Sequence, residues 1–284
     1  MADTSDTENP PSDAFPIFLL GSGRSGTTLL QKILNSADDV MIWGEHGGFL
    51  EQIARAYFHH TEKSKVNQAI FRQNPVAKDP NLDFNRLMLT DIGYCLMNWY
   101  GRREVAANFA GLIESFFHPP GMKKRHWGFK EIRYGRDDRT IEMLAELFPT
   151  ARFVLIVRNP VDVIASQAAM GWGSKTALRS GWKQCAEAWA GQNRGLLEFQ
   201  RANEGRTRWV RFESLISKDS GAVDDLFEWL GFETSDRQGE LVDLKEGIWG
   251  KARRDGKPHR AMFSERKLSH IERIVRGPSR ALGY

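Results

Sequence analysis

The sequence predicts an α/β fold, a three-layer domain whose central parallel sheet is flanked by helices. Three observations carry that expectation. Phe15 to Leu20 is a short apolar run that stops at a glycine, the pattern of a strand buried on both faces. Arg152 to Val157 is a second such run and the clearest buried strand in the chain. Between and after these runs, stretches with helical apolar spacing separate further short strands.

Taken in order, Gly21 to Gly26 is a glycine-serine loop, and Thr27 to Asn35 has helical spacing at Leu29, Leu30, Ile33 and Leu34. Val40 to Trp43 is a second short strand. A mostly helical insertion is expected near 46–125, with breaks at Asn74-Pro75 and Asp79-Pro80. Its aromatics, Trp99, Tyr100, Phe116 and Phe117, fit a packed helix face. Trp127 to Ile132 is a strand, Thr140 to Phe148 a helix stopped by Pro149, and a helix starts at Pro160. A long helix near 176–203, a strand at Thr207 to Phe212 and a helix at Val223 to Leu230 complete the alternation. Residues 1–14 read as a disordered leader, because Met1 to Asp13 is polar and acidic without Lys or Arg. Residues 15–284 read as a single domain.

Composition narrows the function classes. Charged residues make up 27% and apolar residues 41% of the chain, as in ordinary globular proteins. No apolar stretch has membrane-spanning length and the N-terminus lacks the pattern of a signal peptide, so no membrane span is expected. The two cysteines, Cys95 and Cys185, are far apart and suit buried thiols in a reducing, cytoplasmic setting. No Cys/His cluster has metal-ligand spacing, so no metal is expected. The net charge of +4 is uneven: Lys245 to Tyr284 holds eleven Lys or Arg against four Asp or Glu. That suits a polyanionic ligand or a solvated basic face. Nucleic acid is not expected, because no recognisable module accompanies the charge.

Two motifs point to anion binding. Phe18 to Leu30 has the form strand, glycine-rich turn, helix, which aims backbone N–H groups and a helix N-terminus at one point. Gly23, Arg24, Ser25, Gly26, Thr27 and Thr28 are its candidate contacts. Gly21 and Gly26 have the spacing of a nucleotide-binding P-loop, so the domain is P-loop-like. The lysine position is Thr27 instead, and the loop's one basic residue is Arg24. The second motif is Arg158-Asn-Pro-Val-Asp-Val-Ile-Ala-Ser166. Asn159 suits an N-cap and Pro160 the first helical position. Ser166 falls two turns on, on the face of the cap. Arg158 and Ser166 together can hold a phosphate. Taken alone, the same run also fits a capped strand–helix corner with an exposed arginine.

Arg24-Ser-Gly-Thr-Thr28 resembles the 5′-phosphosulfate-binding loop of sulfotransferases that use 3′-phosphoadenosine-5′-phosphosulfate (PAPS). Cytosolic members carry lysine where this chain has Arg24, and the arginine form is more like the tyrosylprotein and bacterial enzymes. Arg158 to Ser166 is similar to the family's 3′-phosphate motif. The resemblance implies a PAPS-dependent transfer of a sulfuryl group to an acceptor hydroxyl, in line, with 3′,5′-bisphosphoadenosine as product. It implies that Glu45, in Trp43-Gly-Glu-His46, is the base, with His46 the other candidate. It implies that Lys130, in Trp127-Gly-Phe-Lys-Glu-Ile132, and Arg24 stabilise charge in the transferring group. The other reading of Lys130 is an exposed lysine beside Glu131. Arg211-Phe-Glu-Ser-Leu215 resembles a family strand end, which leaves Phe212 either against adenine or in the core. Segment 249–260 stands where the family closes a loop over the donor, and the stretch from Lys267 to Tyr284 resembles the C-terminal helix of bacterial members. The acceptor is open: a small molecule, a carbohydrate, a lipid, a phenol or a peptide tyrosine. Two other classes remain, a P-loop kinase or NTPase and a non-catalytic polyanion-binding protein.

Overall fold

A computed structural model describes residues 14–63, 102–135, 138–173, 181–217, 221–232 and 259–284. The acidic leader, the breaks near 74–80, Cys95, Trp99, Tyr100 and the cations of 249–258 lie outside the described residues.

Five strands form one sheet: β1 (Ile17–Gly21), β2 (Val40–Trp43), β3 (His126–Glu131), β4 (Arg152–Val157) and β5 (Thr207–Arg211). Their order is β2-β3-β1-β4-β5 and every pair is parallel. The connections leaving β1 and β3 therefore run to opposite sides, and β1 lies at the switch point where such sheets bind ligands beyond their carboxyl ends. In register, Leu20 pairs with Glu131 on one side and Leu155 on the other.

The continuous apolar run of β1 follows from cover on both faces. Phe18 and Leu20 join a core with Phe129, Phe153 and Leu155. That core packs against α2 (Leu50–Phe58), α3 (Arg102–Phe117), α4 (Thr140–Leu147) and α6 (Gly181–Ala202). Ile17 and Leu19 point the other way. With Val154, Ile156 and Val210 they meet α1 (Thr27–Leu34), α7 (Phe212–Ile216) and α8 (Ala222–Leu230). A third cluster joins α5 (Pro160–Ala169) to α6 and to α9 (Glu265–Ala281). The described part of the expected insertion is helical, as α2, a π-helical turn at His59–Lys63, and α3.

Local chemistry explains several boundaries. Asn159 caps α5, its Oδ1 accepting from the Val161 N–H at 3.0 Å, with Pro160 as the first helical residue. Asn35, just after α1, grips the edge strand β2: its Nδ2 donates to the Ile42 carbonyl at 3.0 Å and its Oδ1 accepts from the Ile42 N–H at 2.6 Å. The side chain imitates a neighbouring strand and fixes where β2 ends.

One expected strand end changes, and two alternative readings fall away. Phe212 opens α7 instead of closing β5. Lys130 is not an exposed lysine: it sits inside β3 and is only 5% exposed, because every position of that strand is covered. The β4–α5 corner is capped, but its Arg158 does not stand free in solvent, for its side chain packs on the Phe212 ring.

Candidate active site

At the carboxyl end of β1 the chain turns through Ser22 to Gly26 and enters α1. The Ser25 N–H donates to the Ser22 carbonyl at 3.1 Å, which closes the turn. Arg24 has φ 73° and Gly26 has φ 94°, both left-handed. Gly26 is required twice over. A Cβ there would meet the Phe212 ring at 2.3 Å, and its backbone disfavours any side chain. Arg24 meets the same backbone demand as a non-glycine residue, a strain that the fold must hold in place. Gly26 offers no side-chain cap to α1. The first N–H groups of that helix are thus directed at the crevice without intrahelical partners. The Ser25 hydroxyl is buried and has no partner among the described residues. Left-handed backbone, uncapped helix start and orphaned hydroxyl together fit an anion held by main-chain donors.

The second corner is the β4–α5 junction. Arg158 has its guanidinium 4.6 Å above the Phe212 ring, 3.7 Å from Asp162, and donates weakly to the Arg24 carbonyl at 3.5 Å. Ser166, on α5, accepts from the Arg24 Nε at 3.0 Å. The loop and the corner therefore touch directly. Phe212 does two things at once: it packs against the core cluster on the α1 side and supports Arg158. Behind the corner, Glu213 accepts from the Asn159 N–H at 2.8 Å and from the Tyr284 hydroxyl at 2.5 Å.

Glu45 follows β2. Lys130 Nζ donates to its Oε1 at 2.6 Å, and Arg133 Nη1 lies 3.5 Å from its Oε2. The neighbouring His46 points elsewhere. Its ring is packed among Phe49, Phe117, Phe129 and Tyr134, and neither nitrogen has a hydrogen-bond partner among the described residues. Burial lowers its pKa, against the opposing pull of the Glu131 charge 3.8 Å away. Burial, helped by the same charge, raises the pKa of Tyr134.

A cavity of about 300 Å³ is lined by Gly23, Arg24, Gly26, Thr27 and Thr28 from the loop, and by Glu45, Arg158 and Phe212 around it. Eight of the residues singled out in the sequence thus meet at one place. Four do not line it: Ser25 is turned inward, Lys130 reaches it through Glu45, Ser166 through Arg24, and His46 is packed among aromatic rings. A larger cavity of about 710 Å³ adjoins, sharing Gly23, Glu45, Ile132 and Trp172 with the first.

Sequence reasoning missed Trp172, Glu131 and Arg133. The Trp172 ring lies 2.5 Å from where a Gly23 Cβ would be, so the indole forms the wall between the cavities. Its signal was the Gly171-Trp-Gly173 step after α5, with both glycines left-handed. Glu131 is completely buried at the end of β3, and its only sequence signal was its place beside Lys130.

Comparison with known proteins identifies the family and the fold. Residues 16–236 match the model of a sulfotransferase family. Among curated proteins, none matches the sequence significantly. The fold is similar to the sulfotransferase domain of the curacin biosynthetic pathway (TM-score 0.56, 18% identity, 95% of this chain and 98% of that one). It is also similar to the sulfotransferase domain of the Synechococcus olefin synthase (TM-score 0.50, 18% identity, 96% and 91%). A sulfotransferase from Mycobacterium avium has the same fold (TM-score 0.50, 11% identity, 94% and 76%). With an all-parallel P-loop-like sheet, a glycine-rich loop at its switch point and a family match over most of its length, the chain belongs to the sulfotransferase family.

Proposed function

We propose that this sulfotransferase takes its sulfuryl group from PAPS and passes it in line to an acceptor hydroxyl, with Glu45 as the base. The observation that supports the reading is the contact of Arg24 with Ser166, which joins the two candidate anion corners in one crevice. PAPS carries anionic groups at its 5′ and 3′ ends, and its two ends match two such corners. Thr27 stands where a nucleotide hydrolase has its phosphate-bridging lysine, which counts against a kinase or NTPase.

The chemistry follows from the charges. The loop amides, Thr27 and Thr28 hold the 5′ end of the donor, and Arg158 with Ser166 holds the 3′-phosphate. Glu45 accepts the proton of the acceptor hydroxyl as its oxygen forms a bond to sulfur. The bond between sulfur and the bridging oxygen breaks, and the negative charge gathers on the departing 3′,5′-bisphosphoadenosine. Arg24 and Lys130 stabilise that charge, so the scheme requires no metal. The larger cavity suits a small-molecule or carbohydrate acceptor, reached past Trp172 and facing Glu45. No helix among the described residues is long and apolar enough to cross a membrane. The low cysteine content supports a cytoplasmic setting.

Calorimetric titration with 3′,5′-bisphosphoadenosine, with magnesium-ATP as control, tests the donor. Metal-independent binding of the bisphosphate and weak binding of ATP are expected. A preference for magnesium-ATP would overturn the assignment.

A further inference from the structure

Among the described residues, the most heavily bonded charge near the crevice is not one that touches it. Glu131 has no exposed surface, yet its two carboxylate oxygens receive four hydrogen bonds. Oε2 accepts from the His46 N–H at 3.3 Å and the Gly48 N–H at 3.1 Å. Oε1 accepts from the Ile132 N–H at 2.8 Å and from Arg133 Nη1 at 2.5 Å. A buried carboxylate survives only when donors satisfy it in this way.

The bonds have a direction. Two come from the two residues that follow it, and two reach across to the loop that carries Glu45. That loop follows an edge strand, and Gly47 and Gly48 both have φ 75°. It contains two left-handed glycines and would otherwise be free to change shape. The Tyr134 hydroxyl adds a further anchor by accepting from the Leu50 N–H at 3.1 Å, where α2 begins. The neighbour of Glu131 in β3 is Lys130, which bonds Glu45 itself. Two consecutive residues of one strand thus hold the two parts of one loop: Lys130 the carboxylate and Glu131 the backbone. Glu131 also engages the Arg133 guanidinium 2.5 Å away, whereas that group stays 3.5 Å from Glu45. This keeps Arg133 from forming a close pair with the base.

We infer that Glu131 is the positioning residue for Glu45, fixing the 44–48 loop on the end of β3 and holding Arg133 back from the Glu45 carboxylate. The inference rests on the reading of Glu45 as the base, and it assigns Glu131 no contact with donor or acceptor. Its effect on turnover therefore passes through Glu45 alone.

A double-mutant cycle tests this. Glu131→Gln should lower kcat roughly 10- to 100-fold, as loss of base positioning does, with affinity for 3′,5′-bisphosphoadenosine held within about 2-fold. In a Glu45→Gln background the same change should cause no further loss. A residue that merely supports the fold would lower the residual rate again, multiplying the two losses, and that result would overturn the inference. Should Glu131→Gln not fold, Glu131→Asp replaces it in both backgrounds. It keeps the buried charge but is one methylene too short to span from β3 to the loop amides. Wild-type kcat in a folded Glu131 variant, with Glu45→Gln slow, would sink the role of Glu131 alone. Wild-type kcat in Glu45→Gln would instead sink the assignment of the base.

Discussion

The Glu45 carboxylate and the Lys130 ammonium are 2.6 Å apart, the carboxylate on the cavity wall and the ammonium covered inside β3. Each is the other's closest partner, although 85 residues separate them in sequence. Glu45→Gln is expected to lower kcat by about 100-fold or more, the usual worth of a positioned general base. Bisphosphate affinity should stay near the wild-type value, because the contacts proposed for the nucleotide's anionic ends lie elsewhere. Lys130→Met should behave differently from Glu131→Gln. If Lys130 stabilises charge on the leaving group, it will lower the rate of the Glu45→Gln variant further, by about 10²-fold. A Lys130→Met change without effect in that background would reduce Lys130 to a partner of Glu45.

Arg158→Ala should weaken the nucleotide and not the chemistry. Removing a charged hydrogen bond to phosphate costs about 1.5–3 kcal/mol, or roughly 10- to 100-fold in Kd for 3′,5′-bisphosphoadenosine. Ser166→Ala removes a neutral donor and should cost less. Adenosine 5′-phosphosulfate, which has no 3′-phosphate, supplies the control: its weaker binding should be indifferent to Arg158→Ala. Unchanged bisphosphate affinity in the variant would remove Arg158 from the site.

Gly26→Ala probes the cradle by steric means. The new methyl would lie 2.3 Å from the Phe212 ring and would require φ near 94° from alanine. Backbone strain of this kind costs about 1–3 kcal/mol, and the ring that must move is the one beneath Arg158. Both corners of the crevice should suffer. Loss of bisphosphate binding together with a lower melting temperature is expected. A variant that binds as wild type would show that the loop does not hold the donor.

Much of this site was legible because backbone and sequence made the same demand. The β4 run is apolar at every covered position, so its end at Val157 and the turn to Arg158 could be read directly. The loop declared itself through its glycines, and at Gly26 backbone and packing both disfavour a side chain. The β3 end was harder. Lys130 and Glu131 are charges in a strand, and charge in a sequence suggests exposure. They are buried because partners from a distant loop satisfy them, which no local pattern encodes. Phe212 has strand-like local character, yet its ring packs beside Gly26 and under Arg158, and α7 starts there because tertiary contacts overrule propensity. Trp172 lies beyond the end of α5, where no helical period places it; the flanking glycines mark a turn, and only the contact of its ring with Gly23 shows its role.

His46 separates stability from catalysis. Its ring is enclosed by four aromatic side chains, and its two nitrogens have no hydrogen-bond partner among the described residues. Burial depresses its folded-state pKa below the ordinary 6.5, opposed by Glu131 and aided by Arg133. Below about pH 6.5 the unfolded chain therefore binds a proton that the folded chain refuses, and stability falls with falling pH until the folded ring also protonates. The contribution is fully present above that value. His46→Phe removes the titrating ring and two unsatisfied polar atoms while leaving the N–H that serves Glu131. Melting temperature at pH 8 should be equal or higher in the variant, and its decline between pH 6.5 and 5 should be shallower. Turnover at pH 8 should persist. A variant with wild-type acid sensitivity would contradict the burial argument, and one with no turnover but intact bisphosphate binding would return His46 to candidacy as the base.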